Sequence, residues 1–328
     1  MKPRYNRIIT HNDMDGVVSA ALCSYALGLK KVRFAGPANI TRGDLRVGER
    51  DVVCDLPYPL VCGLWFDHHE GNLEELKLRG ISLDEIEGRF DLKPSCSRVV
   101  FEYFSERGVK FPSYFEETVR ETDVIDGFLY SSIEEWRKET PGKLVDNSIK
   151  ASTANLKEKY LYLSHLVWLL RDHPLEEVVK MDRVKERIER YRTEEERMLR
   201  LIEQDAGFLP FDSERELVVL DLSRHNRRPW VIKQLVSLLY PEALAVLEIF
   251  PIFEGGVKTT NFGVSMSLTV RAKGRDSKDI GEIMRQLNIG DGHRGAAGGI
   301  VRARSKVEML KKKEELLKRI YELWKAQR

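Results

Sequence analysis

The stretch Gly63-Leu64-Trp65-Phe66-Asp67-His68-His69 decides how this chain folds, because a short apolar run ends abruptly in one acid and two imidazoles. Such a run is typical of a buried strand, and the polar triplet marks the end of that strand. A second polar turn, His11-Asn12-Asp13-Met14-Asp15-Gly16, follows another short apolar strand, Tyr5–Thr10. In open α/β sheets, ligands bind at the carboxyl ends of the strands. The two turns therefore predict one site at one edge of a sheet.

The first part of the chain alternates between strand-like and helix-like segments. The predicted strands are Tyr5–Thr10, Lys31–Ala35, Asp51–Asp55 and Gly63–Asp67, and the predicted helices are Val17–Leu27 and Ser97–Ser105. Continuous apolar strands that alternate with helices favour a parallel sheet covered on both faces. The predicted fold class is therefore α/β, with His11, Asp55 and Asp67 at the ends of strands.

A helix-rich stretch, Leu156–Gln204, separates this region from a second and smaller α/β domain. We expect a catalytic domain over 1–150, a helical linker over 151–206 and the second domain over 207–328. Gly and Pro at Gly207–Pro210 predict a hinge there, which would let the second domain close over the site. The predicted elements of that domain are the strands Leu217–Leu222, Ala243–Phe250 and Gly263–Arg271, the helices Val231–Leu239 and Lys278–Leu287, and the glycine-rich segment Gly290–Gly299.

Composition excludes several classes of protein. Of the 328 residues, 42% are apolar and 32% are charged, and the net charge is +2, which excludes a disordered chain. No run approaches the ~18–20 apolar residues of a membrane span, so we expect no membrane partner. Four cysteines without zinc-like spacing favour a reduced, cytoplasmic protein. The basic segment Arg302–Arg328 predicts an amphipathic helix with a solvated face, and that face could alternatively attract a nucleic-acid backbone.

The turn at His11 could hold a metal ion. Alternate side chains of an extended segment share a face, so His11, Asp13 and Asp15 can point into one space. A mixed set of imidazole and carboxylate ligands suits Mn²⁺ better than Ca²⁺ or structural zinc. The alternative is that Asp13 and Gly16 serve only as the cap and the turn of the next helix.

Further acidic and imidazole residues could complete a metal pair. Asp55 could be a simple turn residue, but its two oxygens also allow it to bridge two ions ~3.5–4 Å apart. Of His68 and His69, one could bind metal while the other faces the substrate, and Asp67 could fix an imidazole tautomer. Either Asp123 or Asp126 could close the site, and the sequence does not decide between them.

The glycine-rich segment could bind phosphate. Glycines such as Gly292 let backbone N–H groups approach an anion closely, and His293 and Arg294 would add charge-assisted contacts. Arg271, at the predicted end of a strand, could contact the same substrate or could simply be solvated.

As a set, these motifs resemble those of the DHH phosphoesterase superfamily in order and spacing, and Gly290–Gly298 is similar to the GGGH signature of its DHHA1 domain. The resemblance implies two Mn²⁺ (or Mg²⁺) ions that activate a water to attack phosphorus. The implied ligands are His11 and Asp13 for one ion and Asp15, His68 and Asp123 for the other, with Asp55 bridging. His69, supported by Asp67, would contact the scissile phosphate, and Arg271 would bind substrate. Asp291 replaces a glycine of the signature and would place a carboxylate near bound phosphate.

The resemblance and the short chain together predict a metal-dependent phosphoesterase that acts on small nucleotides. Its substrates would be short oligoribonucleotides, cyclic dinucleotides or 3′-phosphoadenosine 5′-phosphate. A RecJ-type single-strand exonuclease is the alternative enzyme, although it would need a longer basic and aromatic track. A non-catalytic nucleotide-binding protein is the alternative from another class, although unused buried carboxylates would be costly to keep. A homodimer is compatible with the sequence.

Overall fold

The computed structural model describes residues 4–272 and 278–327. The chain divides into two compact units. Unit 1 comprises Met1–Leu129 and Lys138–Arg192, and unit 2 comprises Tyr130–Arg137 and Thr193–Arg328. None of the described helices combines the length and the apolar composition needed to cross a membrane.

Unit 1 contains a five-stranded sheet in which all neighbouring strands are parallel. The strands are β1 (Arg7–Thr10), β2 (Val32–Phe34), β3 (Asp51–Cys54), β4 (Leu64–Asp67) and β5 (Gly88–Phe90), in the spatial order β2-β1-β3-β4-β5. The predicted parallel sheet is confirmed. The observed ends of its first four strands lie within two residues of the predicted ends.

Helices cover both faces of this sheet. The helices of unit 1 are α1 (Met14–Leu27), α2 (Pro37–Thr41), α3 (Glu70–Leu78), α4 (Cys96–Glu106), α5 (Tyr114–Asp126), α7 (Pro141–Lys150), α8 (Leu156–Asp172) and α9 (Leu175–Val178). Helix α6 (Ile133–Arg137) belongs to unit 2, and α10 (Asp182–Asp205) begins in unit 1 and ends in unit 2. On one face, Ile8 and Phe66 belong to a core that includes residues of α1, α4 and α8. On the other face, Ile9 and Trp65 pack with Leu76 of α3. The sheet is therefore buried on both sides, as its apolar strands require.

The predicted helical stretch Leu156–Gln204 consists of three helices, α8, α9 and α10. The first of them, α8, ends immediately before His173 and Pro174. Proline has no N–H group for the helical hydrogen bond and restricts the residue before it, so the helix stops there.

Unit 2 contains a six-stranded mixed sheet packed on two helices. Its strands are β6 (Ala206–Phe208), β7 (Leu217–Asp221), β8 (Ala245–Glu254), β9 (Val257–Leu268), β10 (Gly290–His293) and β11 (Ala296–Val301), and its further helices are α11 (Val236–Leu239), α12 (Ile280–Gln286) and α13 (Lys306–Ala326). The spatial order is β10-β11-β9-β8-β7-β6, with only the β7–β8 pair parallel. Leu316, Ile320 and Trp324 of α13 are buried in the core of this unit.

The glycine-rich segment differs from the expected phosphate loop, because it forms the antiparallel strands β10 and β11. Glycine permits the close approach of these strands: a Cβ atom at Gly290 would lie 1.9 Å from the carbonyl oxygen of Gly298. Arg271 also differs from the sequence prediction. Strand β9 ends at Leu268, and Arg271 lies in a short 3₁₀ turn beyond it.

Candidate metal centre

The polar side chains of unit 1 collect where three parallel strands end. His11 directly follows β1, Asp55 directly follows β3, and His68 directly follows β4. Neighbouring parallel strands end at the same edge of a sheet, so these residues meet although they are far apart in sequence. Three groups of possible ligands result: His11, Asp13 and Asp55; Asp55, His68 and His69; and Asp15, His68 and Asp126. Within each group the ligand atoms lie within 4.8 Å of one another.

Asp55 lies at the centre of this cluster. Its Oδ2 atom is 3.6 Å from Nδ1 of His11, and its Oδ1 atom is 3.7 Å from both Nε2 of His68 and Nδ1 of His69. The side chain is buried, and Oδ2 accepts no hydrogen bond from any described residue. The backbone of Asp55 has φ 58°, a left-handed conformation that is unusual for a residue other than glycine. Asp55 is therefore placed as a carboxylate that two ions could share.

Asp15 is held by the beginning of α4. Its two oxygens accept hydrogen bonds of 2.7 Å from the backbone N–H groups of Cys96 and Ser97. The same carboxylate lies 3.7 Å from Nε2 of His68. Burial and the neighbouring charge of Asp55 raise the pKa of Asp15 well above its usual value. The backbone N–H groups at the start of α4 thus fix the orientation of Asp15, whose other neighbours include the carboxylates of Asp55 and Asp126.

Asp13 serves the helix and the cluster at the same time. Its side chain caps α1 by accepting a hydrogen bond from the N–H of Gly16 at 3.0 Å, and its Oδ2 atom lies 2.5 Å from Nδ1 of His11. Gly16 is required there, because a Cβ atom would lie 2.3 Å from the carbonyl oxygen of His11. The cap and the metal-ligand interpretations of this turn are therefore compatible.

The two adjacent histidines have different partners. The Nδ1–H group of His68 donates to the carbonyl oxygen of Lys93 at 3.0 Å, so Nε2 faces the carboxylates. Burial lowers the pKa of His68, but the surrounding carboxylates, Asp55 among them, outweigh burial and raise it to about 10. The Nδ1–H group of His69 donates to Asp67 at 2.9 Å. The half-exposed ring of His69 is thus oriented by a neighbouring carboxylate.

The sequence left the choice between Asp123 and Asp126 open, and the candidate ligand groups contain Asp126, whereas Asp123, which the family resemblance implied, lies outside them. Oδ2 of Asp126 lies 3.4 Å from Nε2 of His68, and burial together with the charge of Asp55 raises the pKa of Asp126 to about 7. Asp123 instead accepts hydrogen bonds from Ser95 at 2.7 Å and from the Nε and Nη2 atoms of Arg98 at 2.9 and 2.6 Å. Both oxygens of Asp123 are therefore already occupied.

Sequence reasoning missed two supporting residues. Asn72 donates its Nδ2–H to Asp67 at 2.6 Å, so Asp67 is fixed from two sides. Lys93 contributes its backbone carbonyl to His68. Asn72 lies in the first turn of the helix that follows His69, and this short spacing is a signal that could have been used. The contribution of Lys93 has no sequence signal, because any residue has a carbonyl group.

The donor set fits divalent cations. It combines imidazole nitrogens with carboxylates, the ligand chemistry that suits Mn²⁺. Two of its buried atoms, Oδ2 of Asp55 and Nε2 of His68, lack a hydrogen-bond partner among the described residues. A buried polar atom without a partner is costly, and bound cations would provide partners for these two atoms.

In unit 2, the side chains of His293, Arg294 and Arg271 are exposed, whereas Gly292, also predicted to bind substrate, is half-buried. Gly292 and His293 lie in β10, and Arg294 is in the turn to β11, where its Nε–H donates to the carbonyl of Lys278 at 3.3 Å. Arg271 makes a long contact of 3.4 Å to the carbonyl of Pro241. Asp291 pairs with Arg285 at 2.8 Å and accepts from the N–H of Gly292. Its carboxylate is thus partly neutralised rather than aimed freely at a bound phosphate.

No known protein family matches the sequence of this chain, and no curated protein does. Solved structures do share its fold. A structure described as a pGpG-specific phosphodiesterase, PggH, from Vibrio cholerae has 22% identity and a TM-score of 0.74, and the match covers 98% of this chain and 100% of that one. RecJ from Thermus thermophilus in complex with Mn²⁺ has 16% identity and a TM-score of 0.56. That match covers 98% of this chain but 52% of RecJ, so this chain spans about half the length of RecJ.

A DHH domain described as belonging to a family of ribosomal proteins has 10% identity and a TM-score of 0.56, and the match covers 98% of this chain and 86% of that one. Together with the parallel sheet of unit 1, these likenesses show that the chain shares the fold of these structures, one of which is described as a DHH domain. The fold that the sequence resemblance predicted is confirmed.

Proposed function

We propose that this protein is a metal-dependent phosphodiesterase that hydrolyses phosphate esters of small nucleotides. The observation that carries the proposal is the cluster around Asp55, in which carboxylates and imidazoles from three strand ends and two helices face one another with unpaired buried atoms. Without a bound cation this cluster would be unfavourable, because the charge of each buried carboxylate opposes the ionisation of the others.

Two divalent ions could be held by the cluster. His11, Asp13 and Asp55 would hold one ion, and Asp15, Asp55, His68 and Asp126 would hold the other. When bound, such ions supply a water of lowered pKa as nucleophile and neutralise charge on the phosphoryl oxygens. No protein nucleophile is then needed.

His69 would bind the phosphate that is attacked. Burial lowers its pKa, but the hydrogen bond to Asp67 outweighs burial and raises the pKa. A protonated ring with Nδ1–H fixed on Asp67 leaves its Nε2–H free to donate to a phosphoryl oxygen. Asp67 and Asn72 would act as positioning residues, because they orient His69 without touching the substrate.

Two observations support a small substrate. The PggH structure, whose named substrate is the linear dinucleotide pGpG, matches this chain over its full length. The basic helix α13 offers little free charge for a long strand, because several of its cations pair with acids of the same helix: Lys311 with Glu315, Lys312 with Glu308, Lys318 with Glu314 and Arg319 with Glu322. We expect His293 and Arg294 of unit 2 to bind the nucleotide. Because PggH is described as specific for pGpG, this dinucleotide is the first substrate to test.

The deciding experiment incubates the full-length protein with Mn²⁺ and either 5′-labelled pGpG or a long labelled single-stranded DNA. The Asp55→Asn variant is the matched control. We expect pGpG to be split to mononucleotides by the wild type only. Progressive shortening of the long DNA, with pGpG left intact, would replace the proposal with a RecJ-type exonuclease. If the protein binds pGpG but does not hydrolyse it with any divalent metal, a nucleotide-binding protein would be favoured instead.

A further inference from the structure

Unit 1 carries a second polar depression, which we call the basic cleft, at the edge of the sheet opposite the metal centre. The basic cleft has a volume of about 980 Å³, and its charged lining residues are Arg7, Lys31, Arg33, Arg46, Glu49, Arg50 and Asp51. Arg7 and Asp51 are the first residues of β1 and β3, and Lys31 directly precedes β2. The basic cleft is therefore at the amino ends of the strands, whereas the metal ligands follow the carboxyl ends.

One ion pair forms a rigid wall of the basic cleft. The Nε and Nη2 atoms of Arg7 donate to the two carboxylate oxygens of Asp51 at 2.9 and 2.8 Å. Asp51 also accepts from the N–H of Gly48 at 2.9 Å, and Arg7 donates to the carbonyl of Arg46 at 2.8 Å. These contacts fix the segment that follows α2 against the sheet. They also neutralise Asp51, so that Glu49 is the remaining carboxylate among the described lining residues.

Three of the other cations of the basic cleft are available to a ligand. Lys31, Arg33 and Arg46 are exposed, and none of them forms an ion pair with a carboxylate in residues 4–272 or 278–327. Within the same residues, the backbone N–H groups of Val47 and Glu49 donate no hydrogen bond. Cationic side chains and open N–H groups around a concavity are the donors that recognise phosphate.

We propose that the basic cleft binds a small phosphate-bearing anion, either inorganic phosphate or a mononucleotide. Guanidinium groups such as those of Arg33 and Arg46 match the geometry of phosphate oxygens. The volume is larger than a phosphate group requires and lies in the range of pockets that hold small organic ligands. This site is separate from the metal centre and does not depend on the proposed hydrolytic activity.

Calorimetric titration of the full-length protein, stripped of metal with EDTA, tests this proposal. The probes are inorganic phosphate and guanosine monophosphate, each at up to millimolar concentration. The variants are Arg33→Glu and Arg46→Glu, and the matched control is Lys157→Glu, which makes the same charge change at an exposed position of α8. Melting temperatures of all variants show whether the fold is retained.

We expect the wild type and Lys157→Glu to bind phosphate, and each arginine variant to bind about tenfold or more weakly. Binding of inorganic phosphate identifies the phosphate group as sufficient, whereas binding of the mononucleotide alone shows that the base contributes. Either result supports the site. Absence of binding to the wild type would overturn the proposal. Equal binding by the arginine variants would also overturn it.

Discussion

Asp55 shows at the scale of one residue why this edge of the sheet is functional. A left-handed backbone, a buried carboxylate and an oxygen without a partner among the described residues each cost stability, and all three occur at the same residue. Asparagine tolerates the left-handed conformation better than alanine does, because its side chain can form local hydrogen bonds. Comparing Asp55→Asn with Asp55→Ala therefore separates the loss of the carboxylate from the effect of the substitution on backbone strain.

We predict that Asp55→Asn abolishes hydrolysis, lowering kcat/KM by about three orders of magnitude or more, because a shared metal ligand is lost. The amide retains the shape and the backbone preference of the acid, so the melting temperature of the metal-free protein should change little. Asp55→Ala should be equally inactive and also about 1 kcal/mol less stable. Kinetics with pGpG and thermal melts check both statements. Substantial activity in either variant would remove Asp55 from the bridging role.

Substitutions of Asp123 and Asp126 should affect different properties, one the stability of the protein and the other its affinity for metal. Asp126→Asn should weaken Mn²⁺ binding about 10–100-fold with little loss of stability, because the side chain faces the cluster. Asp123→Asn should destabilise the protein by about 2 kcal/mol, because Arg98 then loses its acid in a partly buried position. Calorimetry with Mn²⁺ and denaturant unfolding measure the two effects. The opposite pattern would return Asp123 to the metal site.

At the scale of helices and strands, the structure could be predicted from the sequence wherever a local pattern determines it. The apolar runs before His11, Asp55 and Asp67 predicted parallel strands, and parallel strands necessarily bring their carboxyl ends together. The choice between Asp123 and Asp126 could not be predicted. Both lie in the last turn of α5, and only the position of Arg98 on α4 decides which acid forms the ion pair.

The hairpin formed by β10 and β11 shows a second limit of prediction from the sequence. Glycine permits both an anion-binding loop and a close strand pair, so composition alone does not distinguish them. Strand β11 pairs on both sides, with β10 and β9, whereas β10 is the edge strand and pairs with β11 alone. The exposed side chains of His293 and Arg294 remain the candidates for phosphate contacts in this region.

We predict that His293→Ala raises KM for pGpG several-fold, roughly the loss of one charge-assisted hydrogen bond, and leaves Mn²⁺ affinity unchanged. The reason is that His293 lies in the sheet of unit 2 and is not among the metal-ligand groups of unit 1. Steady-state kinetics and a Mn²⁺ titration provide the two readouts. If KM stays at the wild-type value, His293 does not bind substrate.

At the scale of the whole molecule, the buried charges of unit 1 link metal binding to protons. In the metal-free protein the pKa values of both His11 and His68 are raised to about 10, as hydrogen bonds to neighbouring carboxylates outweigh the effect of burial. Both imidazoles are therefore protonated at neutral pH, and the pKa of Asp126 is about 7. A cation can bind only after these protons leave, so rising pH must favour the metal-bound state.

We therefore predict that the apparent affinity for Mn²⁺ rises between about pH 6 and 9, by up to about tenfold per pH unit for each proton released. Because metal binds the folded state, a Mn²⁺ concentration about 100 times Kd should stabilise the protein by roughly 2.7 kcal/mol, and EDTA should reverse this. Titrations in buffers of different ionisation enthalpy count the released protons, and melts with and without Mn²⁺ measure the stabilisation. In Asp55→Asn the increase in melting temperature should be much smaller, because the central ligand is gone. An affinity that does not change with pH would show that the imidazoles are already deprotonated in the free protein, and the cluster would then bind metal without the proton competition inferred from its geometry.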